Sequence, residues 1–131
     1  MRILVVDDDP INRTLLTELL GEYGPCATAN NGKAALKDFG ENLKKGTPYD
    51  LVCLDIMMPK LSGQEVLQGI RKVQAEEGIK EKNLCKVIMV SALGDKDSII
   101  GSFVRGCEGY IVKPATAEKI KGELIDLGLI T

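Results

Sequence analysis

Short apolar segments alternate along the chain with longer segments that have helical spacing. The apolar segments lie at residues 3–6, 26–29, 51–54, 87–90 and 110–112. Three of them are apolar without interruption, which is typical of parallel strands covered on both faces. The segment at 26–29 is weaker and more polar, so we expect it to form an edge strand.

The segments between these predicted strands place apolar residues every three or four positions, as amphipathic helices do. The first helix is predicted to follow Asp9, a good N-cap, with Pro10 as its first residue. Its apolar stripe consists of Ile11, Leu15, Leu16, Leu19, Leu20 and Tyr23. The stripes of the other helices are Ala34, Ala35, Phe39 and Leu43; Val66, Leu67, Ile70 and Val73; Ile99, Ile100, Phe103 and Val104; and Ala117, Ile120, Leu124 and Leu127.

The alternation of strand and helix predicts an α/β domain with a parallel sheet and right-handed crossovers. The 131 residues contain no repeat, low-complexity tract or linker, so we expect one domain over residues 1–131. Apolar residues make up 44% and charged residues 27% of the chain, which is ordinary for a globular protein.

Charge and cysteine usage narrow the possible functions. Seventeen basic and nineteen acidic residues give a net charge of −2, which argues against direct nucleic-acid or membrane-surface binding. The apolar start at 3–6 is too short for a secretory signal or a membrane span, so we expect a cytoplasmic protein. With four scattered cysteines and no histidine, neither a zinc site nor a redox dithiol is predicted.

Polar residues that can carry chemistry follow the predicted strands at the point where each strand ends. The carboxyl ends of parallel strands share one edge of a sheet, where open α/β sheets bind ligands. Groups on neighbouring strand ends can therefore meet around one small ligand. The residues in question are Asp7, Asp8 and Asp9 after the first strand, Asp55 after the third, Ser91 after the fourth and Lys113 after the fifth.

These residue types favour metal-assisted phosphoryl chemistry. Clustered carboxylates need a cation, and oxygen ligands without histidine favour Mg²⁺. A carboxylate can act as a nucleophile towards phosphorus, and phosphoryl transfer mainly requires positioning and charge neutralisation. In such a pocket Lys113 supplies a second positive charge, and the Ser91 hydroxyl can donate to a phosphoryl oxygen.

Five motifs in order resemble the receiver domain of two-component response regulators, of the single-domain chemotaxis-regulator type. They are ILVVDDDP at 3–10, LDIMMP at 54–59, LSG at 61–63, VSA at 90–92 and YIVKP at 110–114. The resemblance extends from residue 2 to about 127. It implies a doubly wound, flavodoxin-like (βα)₅ fold whose parallel strands are ordered 2-1-3-4-5.

The resemblance also implies roles for individual residues. Asp55 is expected to accept a phosphoryl group from a phosphohistidine on a sensor histidine kinase or a histidine phosphotransfer protein. Asp8, Asp55 and the backbone carbonyl of Met57 are expected to bind Mg²⁺, with Asp7 completing the acidic pocket directly or through water. Lys113 is expected to contact the phosphoryl group and to precede a cis peptide bond to Pro114.

In the same resemblance Ser91 and Tyr110 form a switch pair: the hydroxyl moves to the phosphoryl group and the aromatic ring turns inward. The face of the fourth helix, fifth strand and fifth helix would then dock on a downstream protein. The chain is thus expected to be a stand-alone phosphoacceptor switch rather than a turnover enzyme. A phosphate-shuttle intermediate and a receiver fragment of a larger regulator stay open as alternatives.

Two positions suggest a long-lived phosphoryl group. In this family the residues two beyond the phosphoacceptor and two beyond the switch hydroxyl influence access of the hydrolytic water. Here they are Met57 and Leu93. Neither side chain can orient water through a hydrogen bond, so we expect phospho-Asp55 to decay slowly.

Three rival functions are weaker. A phosphatase with an aspartyl intermediate would show Asp-x-Asp-x-Thr/Val after the first strand, and the chain has Asp7-Asp8-Asp9-Pro10-Ile11 instead. A flavin-binding domain would need a Ser/Thr/Gly phosphate loop there, and carboxylates repel phosphate. A degenerate receiver that only binds partners is disfavoured because the acids and Lys113 are all present.

Overall fold

Five parallel strands form one sheet in the computed structural model, which describes residues 1–131. The strand order is β2-β1-β3-β4-β5, as the resemblance implies, so β2 and β5 are the edges. The pairing is in register from Ile3 opposite Leu51 to Val6 opposite Leu54 in the central pair. The strands are β1 Ile3–Val6, β2 Cys26–Ala29, β3 Leu51–Leu54, β4 Lys86–Ser91 and β5 Gly109–Val112.

Five α-helices connect the strands. Each of them begins at a side chain that caps it, because Asp9, Asn31, Ser62, Asp95 and Thr116 each accept a hydrogen bond from a backbone N–H in the first turn. A 3₁₀ turn at Glu81–Asn83 precedes β4. The helices are α1 Pro10–Leu20, α2 Gly32–Lys44, α3 Gly63–Glu76, α4 Lys96–Val104 and α5 Ala117–Asp126.

Helices cover both faces of the sheet, which explains why the central strands are continuously apolar. One face of β1, β3 and β4 packs on α2 and α3 around Phe39 and Ile70. The opposite face packs on α1 and α5 around Leu20 and Leu124. Cys53 is fully buried in this second layer, as its apolar surroundings predict.

Two predicted apolar stripes are less buried than an amphipathic helix normally is. On α4, Ile100, Phe103 and Val104 are 48%, 45% and 79% exposed. On α1, Ile11 is 77% exposed, while Leu16 and Leu20 further along the helix are buried. The spacing therefore predicts the helices correctly, but neighbouring elements decide which stripe residues are covered. None of the helices combines the length and apolar character needed to cross a bilayer.

Candidate functional site

Three carboxylates meet at the carboxyl edge of the sheet. Asp7 follows β1 directly, Asp55 follows β3 directly, and these two strands are neighbours. Asp7 and Asp55 are buried, whereas Asp8 is exposed. One oxygen from each of the three side chains lies within 4.8 Å of the others. The ends of two neighbouring strands thus concentrate negative charge at one place, on two buried carboxylates and one exposed carboxylate.

One ammonium group faces these acids. Lys113 follows β5, and its Nζ lies 3.0 Å from Asp7 Oδ2 and 3.6 Å from Asp55 Oδ2. The Lys113 backbone N–H donates to Ser91 O at 2.8 Å, so the segment after β5 stays attached to β4. The peptide bond from Lys113 to Pro114 is cis, as the resemblance implies.

Backbone and side-chain donors hold the two buried acids in place. The Asp9 N–H donates to Asp7 Oδ1 at 2.9 Å, and the Met57 N–H donates to Asp55 Oδ1 at 3.4 Å. Arg13 on α1 donates from Nη1 to the backbone carbonyl of Asp7 at 2.8 Å. The carboxylates are therefore positioned before any ligand binds.

The charges in this pocket do not balance. Burial raises the pKa of Asp55 above its ordinary value, Lys113 acts against this shift, and Asp7 adds to it. Three acids thus share a single ammonium at short range, and the pKa of Asp55 stays raised. A further positive charge between the carboxylates would relieve this repulsion.

Ser91 and Tyr110 meet at the turn that follows β4. Ser91 is fully buried, and its Oγ accepts a hydrogen bond from the Leu93 N–H at 3.2 Å. The Tyr110 hydroxyl donates to the Leu93 carbonyl at 2.5 Å, and its ring packs against the core. Burial raises the pKa of Tyr110. The half-buried ring is thus tied through its hydroxyl to the turn that follows β4.

The loop between β3 and α3 is fixed close to Asp55 by a glycine. The Gly63 N–H donates to Ile56 O at 2.9 Å, and a Cβ added at Gly63 would lie 2.0 Å from the Asp55 carbonyl oxygen. Ser62 and Glu65 form a capping box at the start of α3. Only a residue without a side chain permits this approach of helix and strand end.

Comparison with known proteins identifies the family. The sequence profile of the response regulator receiver domain matches residues 3–125. The chain belongs to the response regulator receiver domain family. Receiver domains are phosphoacceptor switches of two-component signalling that interact with histidine kinases and with downstream targets.

Curated relatives and a solved structure agree with this assignment. The chain is 33% identical over 121 residues to the chemotaxis protein CheY of Bacillus subtilis, covering 91% of this chain and 90% of CheY. It is 36% identical over 127 residues to the probable C4-dicarboxylate response regulator DctR of B. subtilis. That alignment includes 94% of this chain but only 50% of DctR, so the chain spans about half the length of DctR. The CheX–CheY–BeF₃–Mg²⁺ complex of Borrelia burgdorferi matches with a TM-score of 0.82 at 28% identity, over 100% of this chain and 90% of that one.

The acidic pocket of this receiver domain fits a magnesium ion. Its donors are oxygens only, as Mg²⁺ prefers, and the spread of at most 4.8 Å between them is close to the roughly 4.2 Å that separates opposite ligands of an octahedral ion. Asp8 is exposed, so the ion can keep several waters on the open side. The structure thus brings together Asp7, Asp8, Asp55 and Lys113.

Some contacts of the receiver pocket have no signal in the sequence. Arg13 reads as an ordinary polar residue of a surface helix, yet it supports the backbone of Asp7. The Leu93 backbone links Ser91 to Tyr110 through its N–H and its carbonyl. Backbone donors and acceptors are the same in every residue, so only the folded loop reveals which of them matter.

Proposed function

We propose that this receiver domain accepts a phosphoryl group on the carboxylate of Asp55 from a phosphohistidine on a sensor histidine kinase or a histidine phosphotransfer protein. The observation that carries the proposal is the position of the Lys113 ammonium, which lies within 3.6 Å of both Asp7 and Asp55. An ammonium there can neutralise charge on a group that joins Asp55.

The transfer itself needs little covalent chemistry from the protein. An Asp55 carboxylate oxygen attacks phosphorus and forms the acyl phosphate bond while the phosphorus–nitrogen bond of the donor breaks. The electron pair of that bond stays on the imidazole of the donor, which then takes up a proton. Lys113 Nζ contacts the phosphoryl oxygens and offsets the added charge of about −1.5 to −2.

Mg²⁺ is the cofactor in this proposal. Asp8, Asp55 and the Met57 backbone carbonyl would hold it directly, and Asp7 would complete the acidic shell directly or through water. The bound ion supplies the positive charge that three carboxylates and a phosphoryl group require. The Asp9 N–H and Arg13 keep Asp7 oriented towards the site.

Phosphorylation is read by Ser91 and Tyr110 in this proposal. The Ser91 hydroxyl turns from the Leu93 N–H to a phosphoryl oxygen, which changes the β4–α4 turn. That turn also holds the Tyr110 hydroxyl, so the change reaches β5. The surface of α4, β5 and α5 then docks on a downstream protein as a population shift between two conformations. Exposed Phe103 and Val112 support this assignment of the surface.

The proposal is tested by phosphorylation with a small donor. The chain is incubated with acetyl phosphate and Mg²⁺, and its intact mass is measured beside that of Asp55→Asn. We expect a gain of one phosphoryl group in the parent and none in Asp55→Asn.

A matched control uses Asp126→Asn, because Asp126 is an exposed acid at the last position of α5 and is not one of the acids of the pocket. This variant should gain the same mass as the parent. A parent that gains no mass, or an Asp55→Asn variant that still gains it, would contradict the proposal.

A further inference from the structure

Helix α4 is attached to the rest of the protein mainly by polar contacts. Ser102 is its one buried residue, while Ile100 and Phe103 face solvent. Helices in globular proteins usually owe their position to a buried apolar stripe. Since α4 lacks one, its position depends on a small number of hydrogen bonds that other elements donate.

The first of these contacts comes from the start of α3. Gln64 donates from Nε2 to Ser102 Oγ at 3.2 Å and to Ser98 O at 3.5 Å, and Ser102 Oγ donates to Ser98 O at 2.9 Å. Gln64 directly follows Gly63, whose backbone packs against the Asp55 carbonyl. The contact therefore links the loop of the phosphoacceptor to the middle of α4. Its long, neutral hydrogen bonds are weak.

The second contact holds the other end of α4 more firmly. Arg71 donates to Gly106 O from Nη2 at 2.8 Å and from Nε at 3.2 Å, where the chain leaves α4. The same guanidinium forms an ion pair with Glu108 at 2.6 Å. Charge-assisted, two-pronged contacts of this kind are roughly twice as strong as neutral ones.

We propose that α4 pivots about the Arg71–Gly106 contact and that Gln64 is the positioning residue that holds the middle of α4 until the switch operates. The inference rests on the proposed function, because it names the contact through which phosphorylation of Asp55 repositions this helix. Gln64 touches neither the phosphoryl group nor the metal.

The order of events follows from the two contacts. When the Ser91 hydroxyl turns to the phosphoryl group, the Leu93 N–H loses its partner and the turn that leads into α4 shifts. The amino-terminal half of α4 follows this turn, while Gly106 stays bound to Arg71. The Gln64 contact, already at 3.2 to 3.5 Å, then lengthens beyond hydrogen-bond distance.

Hydrogen exchange of backbone amides in Gln64→Ala tests the inference. Without Mg²⁺ or beryllofluoride, we expect the amides of residues 99–102 to exchange about fivefold faster than in the parent, the factor that corresponds to one neutral hydrogen bond. The amide of Glu108, which donates to Val87 O on β4, should exchange at the parent rate, because Arg71 still holds that end. Ser102→Ala, which removes the nearer of the two acceptors of Gln64, should show the same pattern.

Gln68→Ala is the matched control, because Gln68 is an exposed glutamine one turn further along α3. It should leave both sets of amides unchanged. Parent-like exchange at 99–102 in Gln64→Ala, or equal acceleration at the Glu108 amide, would overturn the inference. This comparison needs no ligand, so it can fail or succeed independently of the chemistry at Asp55.

A second measurement adds beryllofluoride and Mg²⁺ to mimic the phosphoryl group. The amides of residues 99–102 in the parent should then exchange about as fast as those of unliganded Gln64→Ala, and the variant should change little. Slower exchange in the liganded parent would overturn the pivot.

Discussion

Two polar assemblies lie at opposite ends of the parallel strands, one at the carboxyl ends (the carboxyl edge) and one at the amino ends (the amino edge). They differ in how their charges are matched. At the carboxyl edge, Asp7 and Asp55 are buried beside Asp8 and share the single ammonium of Lys113. At the amino edge, the Arg71 guanidinium contacts one carboxylate and several backbone carbonyls. Its acceptors are Glu108, Gly106 O, Cys85 O and Gln74 Oε1.

The comparison shows how buried charge can serve either structure or function. The amino-edge assembly pairs one cation with one anion and satisfies the remaining donors, so nothing further is needed to stabilise it. The carboxyl-edge assembly has an excess of negative charge, and burial, together with the smaller effect of the neighbouring Asp7, raises the pKa of Asp55. That imbalance gives the pocket affinity for a divalent cation and makes the unliganded protein less stable.

The largest expected effect is the loss of the amino-edge pair. In Arg71→Ala we expect the free energy of unfolding to fall by about 2–3 kcal/mol, because the Glu108 carboxylate keeps only the Val87 N–H and two backbone carbonyls lose the guanidinium donor. Urea unfolding measures the change. Arg105→Ala is the control, since Arg105 is an exposed arginine at the end of α4, and it should cost less than about 0.5 kcal/mol. Equal losses in the two variants would remove the contrast between the assemblies.

The opposite sign is expected at the carboxyl edge. Without Mg²⁺, Asp55→Asn should raise the free energy of unfolding by about 1 kcal/mol at pH 7, because it removes a buried charge that two neighbouring acids also repel. The folded protein binds the proton of Asp55 more tightly than the unfolded chain does, so ionisation of Asp55 destabilises the fold. The gain should therefore fade as the pH falls towards the ordinary aspartate pKa of about 3.9.

The effect of Mg²⁺ on stability provides a second test of the prediction for Asp55→Asn. Saturating Mg²⁺ should stabilise the parent more than Asp55→Asn, since the ion binds the folded acidic pocket of the parent best. Urea unfolding with and without the ion measures the difference. The exposed acid variant Asp126→Asn should match the parent in both conditions. A variant at Asp55 that is less stable than the parent without metal would show that the pocket is balanced after all.

The smallest expected effect concerns the lifetime of the phosphoryl group. Met57 is 61% exposed at the mouth of the pocket and offers no side-chain hydrogen bond to water. Met57→Asn should lose the phosphoryl group about fivefold faster in Mg²⁺, the factor for one added neutral hydrogen bond. Lys60→Asn, in the same loop, is the control and should decay at the parent rate. Faster decay in the parent than in Met57→Asn would contradict the long lifetime expected from the sequence.

The sequence predicts the fold well because local spacing decides most of it. The parallel sheet, its five strands and the cap at Asp9 are confirmed by the structure. The convergence of Asp55 and Lys113 could also be predicted, since the carboxyl ends of parallel strands share one edge. Their roles in phosphorylation stay predictions.

Long-range polar contacts could not be predicted in the same way. Arg71 and Glu108 are 37 positions apart, and Gln64 and Ser102 are 38 apart, so no spacing rule connects them. The exposure of the apolar stripe of α4 could not be predicted either. Periodicity shows which residues share a helix face, but not whether another element covers that face. These features depend on how the helices pack against one another in the folded protein.

Gly63 limits which amino-acid substitutions this loop can accept during evolution. A methyl group at that position would collide with the carbonyl oxygen of Asp55, so a single replacement there displaces the end of β3. A tolerated replacement would first need a second change that lets the strand end retreat, and that retreat would move the carboxylate out of the pocket. New variants of this segment must therefore keep a glycine at position 63.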